Sequence, residues 1–225
     1  MGIVELFTGL DGFYYLSRWG HILAGIAWIG LLYYFNFVQT EYFKVADPAA
    51  RTDAFVKLVP RALLWFRMSA AVTFLTGLVM LGIIGKGLTL DIVIGATIGT
   101  LMFLNVWLII WPNQRILIAS NEQIKAGGAA LPEAAAAAPK AAIASRTNTM
   151  FSVPMLFFMG SSAHFPSGAL STASAVELGA VLAIIAALEA NAIFRTNQGP
   201  LTTVKGVVGC GFALWAVLYV IVSFL

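Results

Sequence analysis

The chain has 225 residues, of which 60% are hydrophobic and 10% charged. Soluble domains carry about 25% charged residues, so a chain this apolar cannot cover its own surface with polar groups, which excludes a soluble globular domain. The net charge of +3 comes from basic residues spread over several loops rather than gathered on one face, which argues against nucleic acid as a partner.

Glu5 and Asp11 precede the first long apolar run with no basic leader region, so that run reads as a retained membrane span. The first span is expected over residues 17–43, rich in glycine and aromatics. A polar, amphipathic stretch follows over 44–61, with Asp47-Pro48 as a helix start. The second span covers 62–84 and is ended by Gly85-Lys86-Gly87. The third covers 90–111 and continues as a polar helix past Trp111-Pro112-Asn113-Gln114-Arg115. Residues 126–142 are alanine-rich with Gly and Pro, a flexible or partly helical connector outside the membrane. The remaining spans are expected over 147–165, 172–194 and 203–224, leaving no residues for a separate soluble domain.

About 20 apolar residues cross the hydrocarbon core as a helix. Backbone groups in lipid must bond within the segment, and the short alternating segments of a barrel are absent. The expected fold is therefore all-α, a single integral membrane bundle of about six transmembrane helices.

Lysine and arginine orient it. Lys44, Arg51, Lys57, Arg61 and Arg67, then Arg115, Lys125, Lys140 and Arg146, then Arg195 and Lys205 fall on one side. These are eleven of the thirteen basic residues, with Arg18 and Lys86 opposite. The positive-inside rule puts those loops in the cytoplasm and both termini on the periplasmic side of a bacterial inner membrane.

The chain has two histidines, and this topology brings both to the outer leaflet. His21 lies near the outer end of the first span, and His164 ends the fourth, just before Phe165-Pro166. Imidazole is a common axial ligand of haem iron, and helix bundles build such sites from facing side chains. The pair therefore reads as candidate metal ligands for a bis-histidine haem b. Half-solvated interfacial histidines remain the plain alternative. Gly20, Ala24, Gly25, Ala27 and Gly30 leave room for a flat macrocycle and equally suit close helix packing. Arg18 shares the His21 face one turn further out, placed either for a haem propionate or for lipid headgroups. Trp28 is a candidate to pack against the macrocycle. The single cysteine, Cys210, excludes a disulfide or a C-x-x-C-H haem attachment within the chain and reads as a packing residue.

Three stretches carry a resemblance. They are His21-Ile-Leu-Ala-Gly-Ile-Ala-Trp28 with its continuation to Gln39, Trp111-Pro-Asn-Gln114, and Arg146-Thr-Asn-Thr-Met-Phe-Ser-Val-Pro-Met-Leu-Phe-Phe-Met159 followed by Ser162-Ala-His164. Together they resemble the urate oxidase N-terminal domain family, the membrane domain of the cytochrome-c-linked bacterial urate oxidase. The opening His-x-x-x-Gly-x-x-Trp is also similar to small haem-b membrane proteins. The resemblance implies a membrane redox protein and urate as the substrate. In the family's urate-oxidising members a cytochrome c domain follows. This chain stops at Leu225 without C-x-x-C-H, so the expected acceptor is a separate periplasmic cytochrome c.

Other polar residues fall in or near the spans. Arg146 and Asn148 begin the fourth span, either as structural residues or as the lining of a cytoplasmic-side pocket with Asn113, Gln114 and Asn191. Glu177 and Glu189 lie on the fifth span. Glu189 is a candidate for proton handling, with Arg195 within reach as a partner. The sequence names no catalytic residue. The leading expectation is a haem-b redox protein passing electrons toward a periplasmic cytochrome c. The alternative is a non-catalytic membrane subunit of a larger respiratory or oxidoreductase complex. Membrane lipid is the surrounding partner in both.

Overall fold

The computed structural model describes residues 2–194 and 198–224. Among them every regular element is helical, and extended pairing is confined to one antiparallel bridge between Thr89 and Ala169. A short helix, α1 (Ile3–Thr8), precedes α2 (Leu10–Tyr33). A π-helical segment, Tyr34–Gln39, carries α2 without a break into α3 (Thr40–Val45). Then come α4 (Pro48–Lys57) and α5 (Val59–Ile84). Pro48 sits in the first turn of α4, where its missing N–H leaves no bond unmade. Gly85 ends α5 at φ +56°, a left-handed turn that a side chain would strain.

The next rod repeats the pattern of the first. α6 (Leu90–Leu104) widens into a π-helical segment, Asn105–Ile110, and continues as α7 (Trp111–Lys125). Pro112 stands in the first turn of α7. Inside an α-helix a proline ring clashes with the carbonyl one turn earlier, and the wider turn ahead of it relieves that clash. α8 (Ala134–His164), α9 (Ala175–Phe194) and α10 (Val204–Phe224) complete the chain. The alanine-rich stretch is helical from Ala134 onward, in keeping with alanine's helix preference, and Ala137 and Ala141 are buried.

Five segments are long and apolar enough to cross a membrane: Leu10–Val45, Val59–Gly87, Leu90–Lys125, Ala175–Phe194 and Val204–Phe224. The remaining expected span lies within α8. At 31 residues it is about 46 Å long, but it is more polar than the others. Thr147, Asn148, Thr149, Ser152 and Ser161 are all buried in it. α8 packs on α6, α7, α9 and α10, so these groups meet protein rather than lipid. Glycines let the neighbours close in. A Cβ on Gly95 of α6 would lie 3.1 Å from Met159, and one on Gly211 of α10 would lie 2.8 Å from Val153. α2 pairs chiefly with α5 and meets α8 through its lower half, where Tyr33 Oη is 2.8 Å from Ser152 Oγ and Asn36 Nδ2 donates to Ser145 Oγ at 2.8 Å.

The two ends of the bundle are fastened differently. At the outer end, Leu90 N donates to Gly168 O and Leu170 N to Leu88 O, joining the α5–α6 and α8–α9 turns. Asp91, wholly buried in the first turn of α6, accepts there from Ser161 Oγ at 2.6 Å, Ser167 N at 2.8 Å and Ser167 Oγ at 3.2 Å. The helix N-terminus adds favourable partial positive charge beside the carboxylate. At the basic end, the Arg67 guanidinium lies 3.7 Å over the Trp111 ring. Asp53 of α4 there pairs with Lys125 of α7 at 2.6 Å and with Lys57 at 2.9 Å.

Two outcomes follow from these ends. Asp91→Ala removes the acceptor of three hydrogen bonds and is expected to cost about 3 kcal/mol, read as a fall in the thermal midpoint in detergent. The Lys125 hydrogen bond, followed by that of Lys57, holds the exposed Asp53 carboxyl below its ordinary value. The α4–α7 tie is therefore complete above the ordinary aspartate range and lost as pH falls through the lowered value. Spin labels on α4 and α7 should separate on acidification below about pH 4 and not at pH 6.

Candidate functional site

His21 faces α5. Its Nδ1 is 3.2 Å from Thr76 Oγ1. That hydroxyl donates its own proton back to Val72 O at 2.7 Å and Thr73 O at 3.0 Å, so it meets the imidazole with a lone pair. With the hydroxyl proton on the backbone carbonyls, Nδ1 carries the ring proton and Nε2 the lone pair. Gly77 provides the seat, since a Cβ there would lie 3.2 Å from His21 Cε1. The ring is half-buried.

His164 is the last residue of α8 and is exposed. Among the described residues it makes no hydrogen bond, and none links it to His21. The two histidines share an end of the bundle but not a level. α2 begins at Leu10, so His21 lies about three turns into its helix rather than one. Its partner Thr76 sits roughly 12 Å below the end of α5, whereas His164 adjoins the outer turns.

Arg18, one turn above His21, is exposed and turned to Tyr14, donating to its hydroxyl at 2.5 Å and lying 4.6 Å over its ring. Trp28, two turns below His21, is 2% exposed, and its Nε1 has no hydrogen-bond partner.

A second constellation lies in the basic half. Asn105, Asn148 and Glu189 are all buried and come from three different rods. Asn105 Nδ2 donates to Asn148 Oδ1 at 2.9 Å and to Glu189 Oε2 at 3.1 Å. Asn148 Nδ2 donates to the Met102 carbonyl at 2.9 Å. Asn105 opens the π-helical segment, and its backbone N–H and Asn148 Nδ2 share the Met102 carbonyl.

The polar residues grouped by sequence at this end are divided in the structure. Asn148 joins Asn105 and Glu189. Arg146 donates to Gln198 Oε1 at 2.8 Å and Leu201 O at 2.6 Å, fastening the turn before α10. Asn113 bonds the Ile109 carbonyl of its own rod, and the buried Gln114 Oε1 has no partner. Asn191 lines a cavity of about 290 Å³ with Thr147, Leu188, Gln198 and Cys210. Glu177 accepts from Ser174 N at 3.2 Å and caps α9. Arg195, a candidate partner of Glu189, lies outside the described residues.

Sequence reading missed Asn105, Thr76 and Asp91. Asp91 had a signal, an acid two residues after a capping threonine. Thr76 and Asn105 had none, because their partners lie 55 and 43 residues away. Asn105→Leu removes the donor to Asn148 Oδ1 and Glu189 Oε2 and is expected to cost about 2 kcal/mol. Adding Glu189→Leu should recover part of that loss, as measured by unfolding of the single and double variants.

Comparison with known proteins gave one match. A family model described as "Urate oxidase N-terminal" matches residues 87–222. That range takes in α6 to α10, the Asn105–Asn148–Glu189 cluster and His164, and leaves out His21. No curated protein matches, and no solved structure does. The matched range is more than half of the chain and includes the helices that enclose α8, and the chain belongs to the urate oxidase N-terminal family.

Proposed function

We propose that the chain is a haem-b membrane redox protein that passes electrons toward a periplasmic cytochrome c, with urate as the reductant upstream. The observation that supports it is the placement of His21, whose Nδ1 lies 3.2 Å from Thr76 Oγ1, an arrangement that leaves Nε2 for a ligand when Nδ1 carries the proton. Histidine ligands of metals characteristically engage the second ring nitrogen in this way, which fixes the tautomer and the ring. The donor set therefore fits haem at His21.

His21 would hold the iron, and His164, at the same end of the bundle but nearer the outer turns, is the candidate second ligand. His164 is free of other bonds and at the same end of the bundle. Haem b, when bound, supplies one-electron exchange between ferric and ferrous iron. The chain's own residues do the rest. Thr76 orients the imidazole and Gly77 leaves it room. Arg18 offers a guanidinium to a propionate on leaving Tyr14. Trp28 closes the seat below with an apolar ring. The position near the outer end favours an acceptor on the periplasmic side. Urate enters from the family's description alone.

The test is a reduced-minus-oxidised absorption spectrum of the purified full chain. A b-type signal is expected, lost in His21→Ala and in His164→Ala, and retained with about tenfold weaker haem binding in Thr76→Val. Reduction of that haem by added urate tests the substrate. A colourless, folded protein sinks the reading and leaves the non-catalytic subunit in its place.

A further inference from the structure

Glu189 is a carboxyl group inside a membrane bundle, and among the described residues no cation is bonded to it. It is 7% exposed, and among the described residues its hydrogen bond comes from a neutral amide, Asn105 Nδ2. The charged and titratable groups on the elements packed around α9 are committed elsewhere or distant. On α8, Arg146 is bonded to Gln198 and Leu201. On α10, Lys205 stands in the first turn, Cys210 lines the cavity and Tyr219 stacks with Trp215. On α6, Asp91 is held by Ser161 and Ser167 at the opposite end. On α9 itself, Glu177 caps the first turn. Asp91 gives the contrast within the same protein: a buried carboxylate whose charge is met by three donors and a helix N-terminus. Glu189 has one donor. An ionised carboxylate so placed is costly in a low-dielectric interior, and burial there is a mark of function.

A cavity lies in the same half of the bundle. The cavity of about 290 Å³ opens at the basic end. The cavity and the carboxyl share two helices: Leu188 and Asn191 of α9 and Thr147 of α8 line the cavity, and Glu189 and Asn148 sit on the same helices turned toward Asn105. The lining amides and hydroxyl of Asn191, Gln198 and Thr147 suit water.

We propose that Glu189 is a proton-exchange site inside the bundle, held by Asn105, which Asn148 positions, and loaded from the basic end through the cavity bordered by Asn191, Gln198 and Cys210. The carboxyl takes up or releases one proton, and no other bond changes.

The full chain in proteoliposomes is treated with dicyclohexylcarbodiimide, which reacts with protonated carboxyls in apolar surroundings, and the adducts are mapped by mass spectrometry. Glu189 is expected to be labelled and Asp91 not. A membrane-impermeant thiol reagent applied at the basic end should modify Cys210, the chain's single cysteine, and cause loss of the Glu189 label. In Cys210→Ala the same reagent should leave the label intact. An unlabelled Glu189 in folded protein overturns the proposal, as does a Cys210 that the reagent cannot reach from the basic end. Labelling that persists at full strength after Cys210 is blocked also overturns it. None of these readouts depends on haem, so this proposal can fail while the redox reading stands, and the reverse.

Discussion

Within hydrocarbon a polar side chain has no water to turn to, and whatever α8 carries must be met by its neighbours. This helix brings Thr147, Asn148, Thr149, Ser152 and Ser161 into the interior. Four of them have partners within protein: Asn148 in Asn105 and the Met102 carbonyl, Thr149 in the Ser145 carbonyl, Ser152 in Tyr33, Ser161 in Asp91. The requirement fixes the arrangement of the rest. α6 must present Asp91 and Asn105 on one face, about 20 Å apart along the helix, and α2 must cross where Tyr33 and Asn36 can reach. The more apolar rods lie around α8 because they can face lipid at no such cost.

The two π-helical segments belong to the same logic. Each falls where a long rod passes the lower half of α8, and each holds an asparagine that reaches it, Asn36 at 34–39 and Asn105 at 105–110. A backbone carbonyl has two lone pairs, so Met102 O accepts both the Asn105 N–H and the Asn148 amide. Two of the polar contacts between helices, Asn36–Ser145 and Asn105–Asn148, thus start from local departures from regular helix.

The two proposed sites divide the bundle. The His21 seat lies in its outer half, on the α2–α5 pair, which is bound to the rest mainly lower down. The Glu189 cluster lies in the basic half, between rods packed closely around α8. Flat or bulky ligands are most easily admitted where helices diverge. A proton needs only a hydrogen-bonding group and water, which suits the tighter half.

The helices and the membrane setting were legible in the sequence, since a long apolar window is a local property and its chemistry does not depend on what packs against it. The polar stretch from Arg146 to Ser152 stood out as unusual for the same reason. The grouping of Arg146, Asn148, Asn113, Gln114 and Asn191 into one pocket was a guess at depth alone. Depth can be counted along a helix, but the direction a side chain faces depends on neighbours that are distant in sequence.

What the sequence determined by itself was an all-α membrane bundle, the bias of its charge toward one end, and two histidines near the other. Tertiary structure decided which polar groups meet. It set His21 against Thr76 and Gly77 some way below His164, turned Arg146 to the α9–α10 turn, and joined Asn105, Asn148 and Glu189. The physical reason is that burial is imposed by composition, residue by residue. Satisfying a buried polar group takes two residues, and only the packing of helices chooses the second.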